Sequence, residues 1–224
     1  MLAAKPWAGL EDLPYEAATR PWPVQLKAHS GLPAPQDPVT LPRSSAAPSR
    51  PVAKPVTQQP ALIPRAANLW AIRGGWQLAE APSVREDGAV LSKTGYQGKG
   101  WWPATVPGTV LTTLIDRGVY PDPDFGLNNM AIPERLARQD YWYRAEFTVP
   151  AQLAGKRLNL TFEGINYAAE IWVNGQSIGK IRGAFLRGDF DVTGVVAPGR
   201  ANAVAVRISP PPHPGIPHEQ SIVA

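Results

Sequence analysis

Hydrophobic positions are sparse and aperiodic up to residue 66 and strongly patterned after it. The clearest run is Tyr141, Tyr143, Ala145, Phe147 and Val149, alternating with Trp142, Arg144, Glu146 and Thr148. Period 2 sends the two sets to opposite faces of a strand, so this run predicts a β-strand with one face on a core. Leu158, Leu160 and Phe162 repeat the period, as do Tyr167, Ala169, Ile171 and Val173, and later Val204, Val206 and Ile208. Asn174-Gly175 lies between two strand-like runs. A type I′ turn needs positive φ at both central residues, which Asn and Gly tolerate, so a hairpin is predicted there. Residues 190–196 read as a strand end and tight turn closed by Pro198-Gly199. Pro210, Pro211 and Pro212 cannot donate to a ladder and end the last strand.

One segment has the helical period. Val110, Leu111, Leu114 and Ile115 share a face, Thr109 can cap the N-terminus, and Gly118 suits the position after the C-terminus. A short helix over 109–117 is predicted. Trp70, Ile72, Trp76 and Leu78 open a strand-like region broken by Gly74-Gly75, while 82–100 and 120–140 read as loops. Short strands behind one short helix predict an all-β sandwich of the jelly-roll type.

Composition separates the first part of the chain from the rest. Residues 1–66 hold 13 of the 26 prolines but only 2 of the 20 glycines, with few aromatics. Such a segment cannot bury enough apolar surface to fold, so 1–66 is predicted to be a disordered Pro-rich arm and 67–224 a single domain. Pro51-x-x-x-Pro55 has a spacing that SH3- or WW-like modules can take, although a linker explains it without a partner. The domain is too short for a (β/α)₈ barrel, which takes ~250 residues.

Charge and cysteine content narrow the chemistry. Net charge is +4, of which +3 lies in the arm, so the domain lacks the clustered basic face of a nucleic-acid binder. Cysteine is absent, which excludes disulfides and Cys-based zinc or redox sites. No apolar run reaches the 18 or so residues of a membrane-spanning helix. Four prolines interrupt residues 1–25, so Met1 opens no signal-peptide pattern.

Six motifs then occur in one order: Trp102-Pro-Ala-Thr-Val-Pro-Gly-Thr-Val, Gly118-Val-Tyr-Pro-Asp-Pro-Asp-Phe-Gly, Tyr141-Trp-Tyr-Arg-Ala-Glu-Phe, Phe162-Glu-Gly-Ile-Asn-Tyr, Ile171-Trp-Val-Asn-Gly and Phe190-Asp-Val-Thr. Over 70–222 the chain resembles the N-terminal sugar-binding domain of glycoside hydrolase family 2, in its β-mannosidase and exo-β-D-glucosaminidase branch. The resemblance implies a galactose-binding-like jelly roll, followed in the family by an immunoglobulin-like sandwich and a catalytic barrel. The family's catalytic carboxylates lie in that barrel, so the resemblance gives no residue here a catalytic role. Members continue past the position of Ile222 with a Trp-rich loop and a closing strand, and the jelly roll is therefore expected to be truncated at its C-terminal end. The implied function is that of a non-catalytic fragment of an exo-acting retaining β-glycosidase, acting on β-mannosides or β-glucosaminides. A stand-alone carbohydrate-binding module and a purely structural buttress stay open beside it. The implied partners are a carbohydrate substrate reached through the barrel, and the following sandwich and barrel domains. No cofactor, metal, nucleic acid or membrane is expected. A periplasmic or extracellular location follows from the resemblance alone.

The family's first domain sends a loop bearing Asn or Asp toward the barrel mouth. The resemblance therefore makes Asn128 and Asn129 candidate substrate-binding residues, with Asp122, Asp124 and Phe125 beside them. As a catalytic pair Asp122 and Asp124 are poorly suited, because Pro-Asp-Pro-Asp favours turns in which the carboxylates cap local N–H groups. Trp101, Trp102, Trp142 and Trp172 can stack on pyranose faces, but burial is the commoner fate of Trp in a sandwich. Arg187-Gly188-Asp189 sits beside a strand that explains it, the sequon Asn159-Leu160-Thr161 matters only in a eukaryotic secretory pathway, and Gly95-x-x-Gly98-x-Gly100 lacks the strand-turn-helix of a phosphate-binding loop. His213 and His218 flank a Pro-fixed loop and lack a third ligand for zinc.

Overall fold

The computed structural model describes residues 49–126 and 128–211. The arm as far as residue 48, and His213 and His218, lie outside the described residues. Among the described residues ten strands are formed: β1 (Leu62–Ala66), β2 (Leu69–Ile72), β3 (Gln77–Glu80), β4 (Trp102–Pro103), β5 (Tyr141–Thr148), β6 (Asn159–Ile165), β7 (Ala168–Val173), β8 (Gln176–Arg182), β9 (Leu186–Asp191) and β10 (Ala201–Ser209). Six of them build one antiparallel sheet in the order β4-β3-β5-β10-β7-β8. β6 pairs with β9, and β1 with β2.

The period-2 runs explain the layers. Tyr143 of β5 lies opposite Val206 of β10, which in turn lies opposite Ile171 of β7. All three point to the main core, where Leu160, Phe162 and Phe190 of the β6–β9 pair close over them. Phe162 and Phe190 meet edge to face at 6.3 Å between ring centroids, a favoured aromatic geometry. The result is a β-sandwich.

The opposite face of the large sheet is covered as well. Helix α1 (Gly88–Leu91), capped by the Asp87 carboxylate accepting from the Val90 N–H, brings Leu91 onto Trp142 and Ala205. Trp172, Tyr96 and Trp101 pack around this second cluster. Arg144 is buried on this face, and its guanidinium donates to the carbonyls of Leu91 and Lys93. Those bonds offset the cost of burying a charge. Trp142 and Trp172 are thus packed within this chain rather than left as an open apolar face.

Helix α2 (Val110–Asp116) starts at Thr109, whose hydroxyl accepts from the Thr112 N–H. It ends with the Gly118 N–H on the Ile115 carbonyl and the Val119 N–H on the Leu114 carbonyl. This is a Schellman ending, and it requires the positive φ of Gly118, +69°. The predicted boundaries hold. Two features differ from expectation. A second short α-helix, α1, lies inside the stretch read as a loop. β1 lies inside the stretch assigned to the arm, because its exposed edge tolerates Pro64 while Leu62 and Ile63 turn partly inward.

Candidate functional site

The candidate residues cluster where the chain leaves α2 and crosses to β5. Tyr120 and Pro121 lead into a turn in which the Asp122 carboxylate accepts the Asp124 N–H at 3.0 Å. The Phe125 N–H reaches the Asp122 carbonyl, and the Asn128 N–H reaches the Phe125 carbonyl. Residues Asn128–Ala131 then make one 3-10 turn.

Within this loop the two asparagines have opposite environments. Asn128 is 2% exposed. Its amide donates to the Asp122 carbonyl (2.7 Å) and to Ser49 Oγ (2.8 Å), and its oxygen accepts the Ser49 N–H (2.8 Å). Both amide hydrogens are therefore engaged inside the protein, and the side chain ties the loop to a segment 79 residues earlier. Asn129 is exposed, and its backbone carbonyl accepts the Ile132 N–H. Phe125 is 69% exposed, and Asp122 and Asp124 are also on the surface. The loop thus presents a large apolar ring, an amide and carboxylates together. The Asp122–Asp124 contact is an Asx turn, carboxylate to backbone N–H, as the Pro-Asp-Pro-Asp run implies.

Behind the loop, Asp116 at the end of α2 fixes the base. Its carboxylate accepts from the Thr105 hydroxyl at 2.7 Å and faces the Lys54 ammonium at 2.8 Å. The Lys54 and Thr105 hydrogen bonds hold its pKa below the ordinary 3.8, outweighing partial burial.

A groove of about 600 Å³ opens on the outer face of the large sheet. Trp142 and Trp172, 5.4 Å apart between ring centroids, form part of its lining with Asp140, Glu170 and Arg207. Arg207 is paired to Asp140 through Nε and a terminal nitrogen, both at 2.7 Å, and Glu170 to Lys180. The sequence hinted at this groove only through the outward register of the two tryptophans. Among the described residues, no cluster of three or more His, Asp or Glu could hold a metal. No helix among them is long and apolar enough to cross a membrane.

Sandwich and loop together define a domain of the galactose-binding-like class. The family described as "Glycosyl hydrolase 2 galactose-binding domain-like" matches residues 76–222, and the chain belongs to it. It is 38% identical over 139 residues to an exo-β-D-glucosaminidase of Streptomyces avermitilis, covering 61% of this chain and 15% of that protein. It is 33% identical over 129 residues to a β-mannosidase of Rattus norvegicus, covering 57% and 13%. Among solved structures it is similar to the exo-chitosanase of Amycolatopsis orientalis, with a TM-score of 0.55, 32% identity, and coverage of 61% of this chain and 16% of that one. These relatives are glycosidases, and the chain spans about 15% of their length, in their non-catalytic N-terminal domain.

Proposed function

We propose that the chain is the sugar-binding-like domain of an exo-acting retaining β-glycosidase, buttressing a catalytic barrel and lending the 120–129 loop to the rim of its substrate site. The substrate class is a β-glucosaminide or β-mannoside at a non-reducing end. The observation that carries the reading is the 38% identity to an exo-β-D-glucosaminidase across this domain. Retention needs two carboxyl groups ~5–5.5 Å apart on either side of the scissile bond, one as acid/base and one as nucleophile. In this reading the barrel supplies both. The loop orients the sugar: the exposed Asn129 amide can donate to and accept from hydroxyls, and the Phe125 ring can lie against a pyranose face. Asn128 anchors the loop from within.

The test has two parts. Purified 1–224 is expected to leave aryl β-glucosaminides and β-mannosides intact, and turnover above a heat-killed control would sink the reading. The gene read past the codon for Ala224 is expected to encode a barrel. A barrel-bearing protein inactive on both substrate types would also refute it.

The alternative is a stand-alone carbohydrate-binding module, which the groove lined by the half-buried Trp172 with Asp140 and Arg207 favours. Glycan-array binding by the isolated chain, abolished by Trp172→Ala, would support it over the first reading.

A further inference from the structure

We propose that residues 49–61, which precede the family-matched region, form a strap that positions the 120–129 loop, with Ser49 and Lys54 as its positioning residues. Its catalytic consequence rests on the rim role proposed above, whereas the strap itself rests on contacts within this chain.

Residues 51–60 are all exposed, as a linker would be, yet the segment is fastened at four points. At its start Ser49 and Asn128 exchange two hydrogen bonds, backbone N–H to amide oxygen and amide nitrogen to hydroxyl. Five residues on, the Lys54 N–H donates to the Asp116 carbonyl at 2.8 Å, and the Lys54 ammonium meets the Asp116 carboxylate. A cation at the last residue of α2 also faces the negative end of the helix. Beside it, a Cβ on Gly118 would fall 2.7 Å from the Ala53 nitrogen, so the strap lies directly on the helix ending. Finally, a Cβ on Gly74 would fall 2.0 Å from the Gln59 carbonyl oxygen, and the Arg73 N–H donates to the Ala61 carbonyl.

The first three of these fastenings converge on the loop. Asp116 and Gly118 mark the point where α2 gives way to it, and Asn128 lies near its far end. Asp122, inside the loop, adds a carboxylate that the Lys54 charge feels. The Lys54 ion pair is too exposed on the lysine side to contribute much by itself. The directional bonds to Asn128 and Asp116 do the positioning. An exposed loop held only by its own turns would open locally at low free energy. A strap across both of its ends raises that free energy, and holds Phe125 and Asn129 in one place relative to the sandwich, as binding residues require.

The test is hydrogen–deuterium exchange of the full chain carrying Ser49→Ala, which removes the hydroxyl acceptor, and Lys54→Pro, which removes the N–H that bonds the Asp116 carbonyl, with Thr57→Ala as a control on the same segment. Peptides over 119–131 are expected to exchange roughly 5- to 160-fold faster, as the loss of two net hydrogen bonds predicts. β5 and the Thr57→Ala control are expected to stay as in the wild type. Unchanged exchange in 119–131 would overturn the strap. Equal acceleration in β5 would also overturn it, because the segment would then be a general stabiliser. In a barrel-bearing parent, the same double variant is expected to raise KM several-fold with kcat held. Faster loop exchange with an unchanged KM would keep the strap and refute the rim role instead.

Discussion

The side-chain amide of Asn174 donates to the side-chain oxygen of Asn202 at 2.8 Å, joining the β7–β8 turn to the start of β10. Asn174 has φ +49°, as the hairpin turn requires. Its other amide hydrogen goes to the Val195 carbonyl, and its oxygen accepts the Ala203 N–H. Asn202 is fully buried. It accepts the Ala197 N–H and donates to the carbonyls of Ala197 and Arg200. Two asparagines thereby satisfy the backbone of the loop between β9 and β10 and of Ala203 at the start of β10, in a place where unpaired polar groups would be costly.

Asn202→Ala is therefore expected to destabilise the domain by ~1–3 kcal/mol, because the Ala197 N–H and one Asn174 amide hydrogen lose their partner in a buried site. For a domain of this size that is roughly 2–12 °C in Tm. Differential scanning calorimetry checks it; an unchanged Tm would show that water reaches the site and replaces the amide.

Acid should weaken the strap's anchor. The pKa of Asp116 is lowered on folding, so its contribution is present above the unfolded carboxylate value and is lost as pH falls through the folded one. The stability difference between wild type and Asp116→Asn is expected to be greatest near pH 7 and to shrink below the ordinary value of 3.8. Urea midpoints from pH 3 to 7 measure this, and a gap independent of pH would contradict it.

Gly88→Ala sets two effects against each other. Ala gains ~1 kcal/mol over Gly in a helix. An added Cβ, however, would fall 2.1 Å from the Trp172 ring, which is braced by Trp142. Overpacking costs typically ~1–3 kcal/mol, so net destabilisation is expected in urea unfolding. Stabilisation would mean that the Trp172 ring yields freely.

The two loop asparagines should separate in the complete enzyme. Asn129→Ala is expected to lower kcat/KM roughly 5- to 150-fold with little change in Tm, as losing one bond to a sugar hydroxyl implies. Asn128→Ala is expected to lower Tm, because Ser49 loses both of its bonds to the amide and the Asp122 carbonyl keeps only the Phe125 N–H. Full activity in Asn129→Ala would make the loop structural.

Local signals carried most of the sandwich. The alternation at 141–149, the Asn174-Gly175 hairpin and the Thr109-to-Gly118 helix each depend on residues next to one another, and each is found where the pattern puts it. What escaped depends on distant partners. β1 is hidden by its proline and gains its meaning from β2. α1 has only four residues, too few to show a period, and is held by Trp142 and Trp172 from far along the chain. Asn128 and Asn129 look alike in sequence. Only Ser49, 79 residues away, makes one an anchor and leaves the other exposed.

The position of β10 bears on how the chain is made. β10 is the last strand among the described residues, yet it lies between β5 and β7. During synthesis the sheet therefore exists first as two halves, β4-β3-β5 and β7-β8, each with one edge, β5 or β7, that only β10 will cover. Translation at ~5–20 residues per second leaves roughly 3 to 12 s between the emergence of Thr148 and that of Ser209. Through that interval the edge of β5, and from the emergence of Val173 that of β7, is open to any other extended chain, and a nascent-chain chaperone that shields them would act before β10 arrives to zip the halves together.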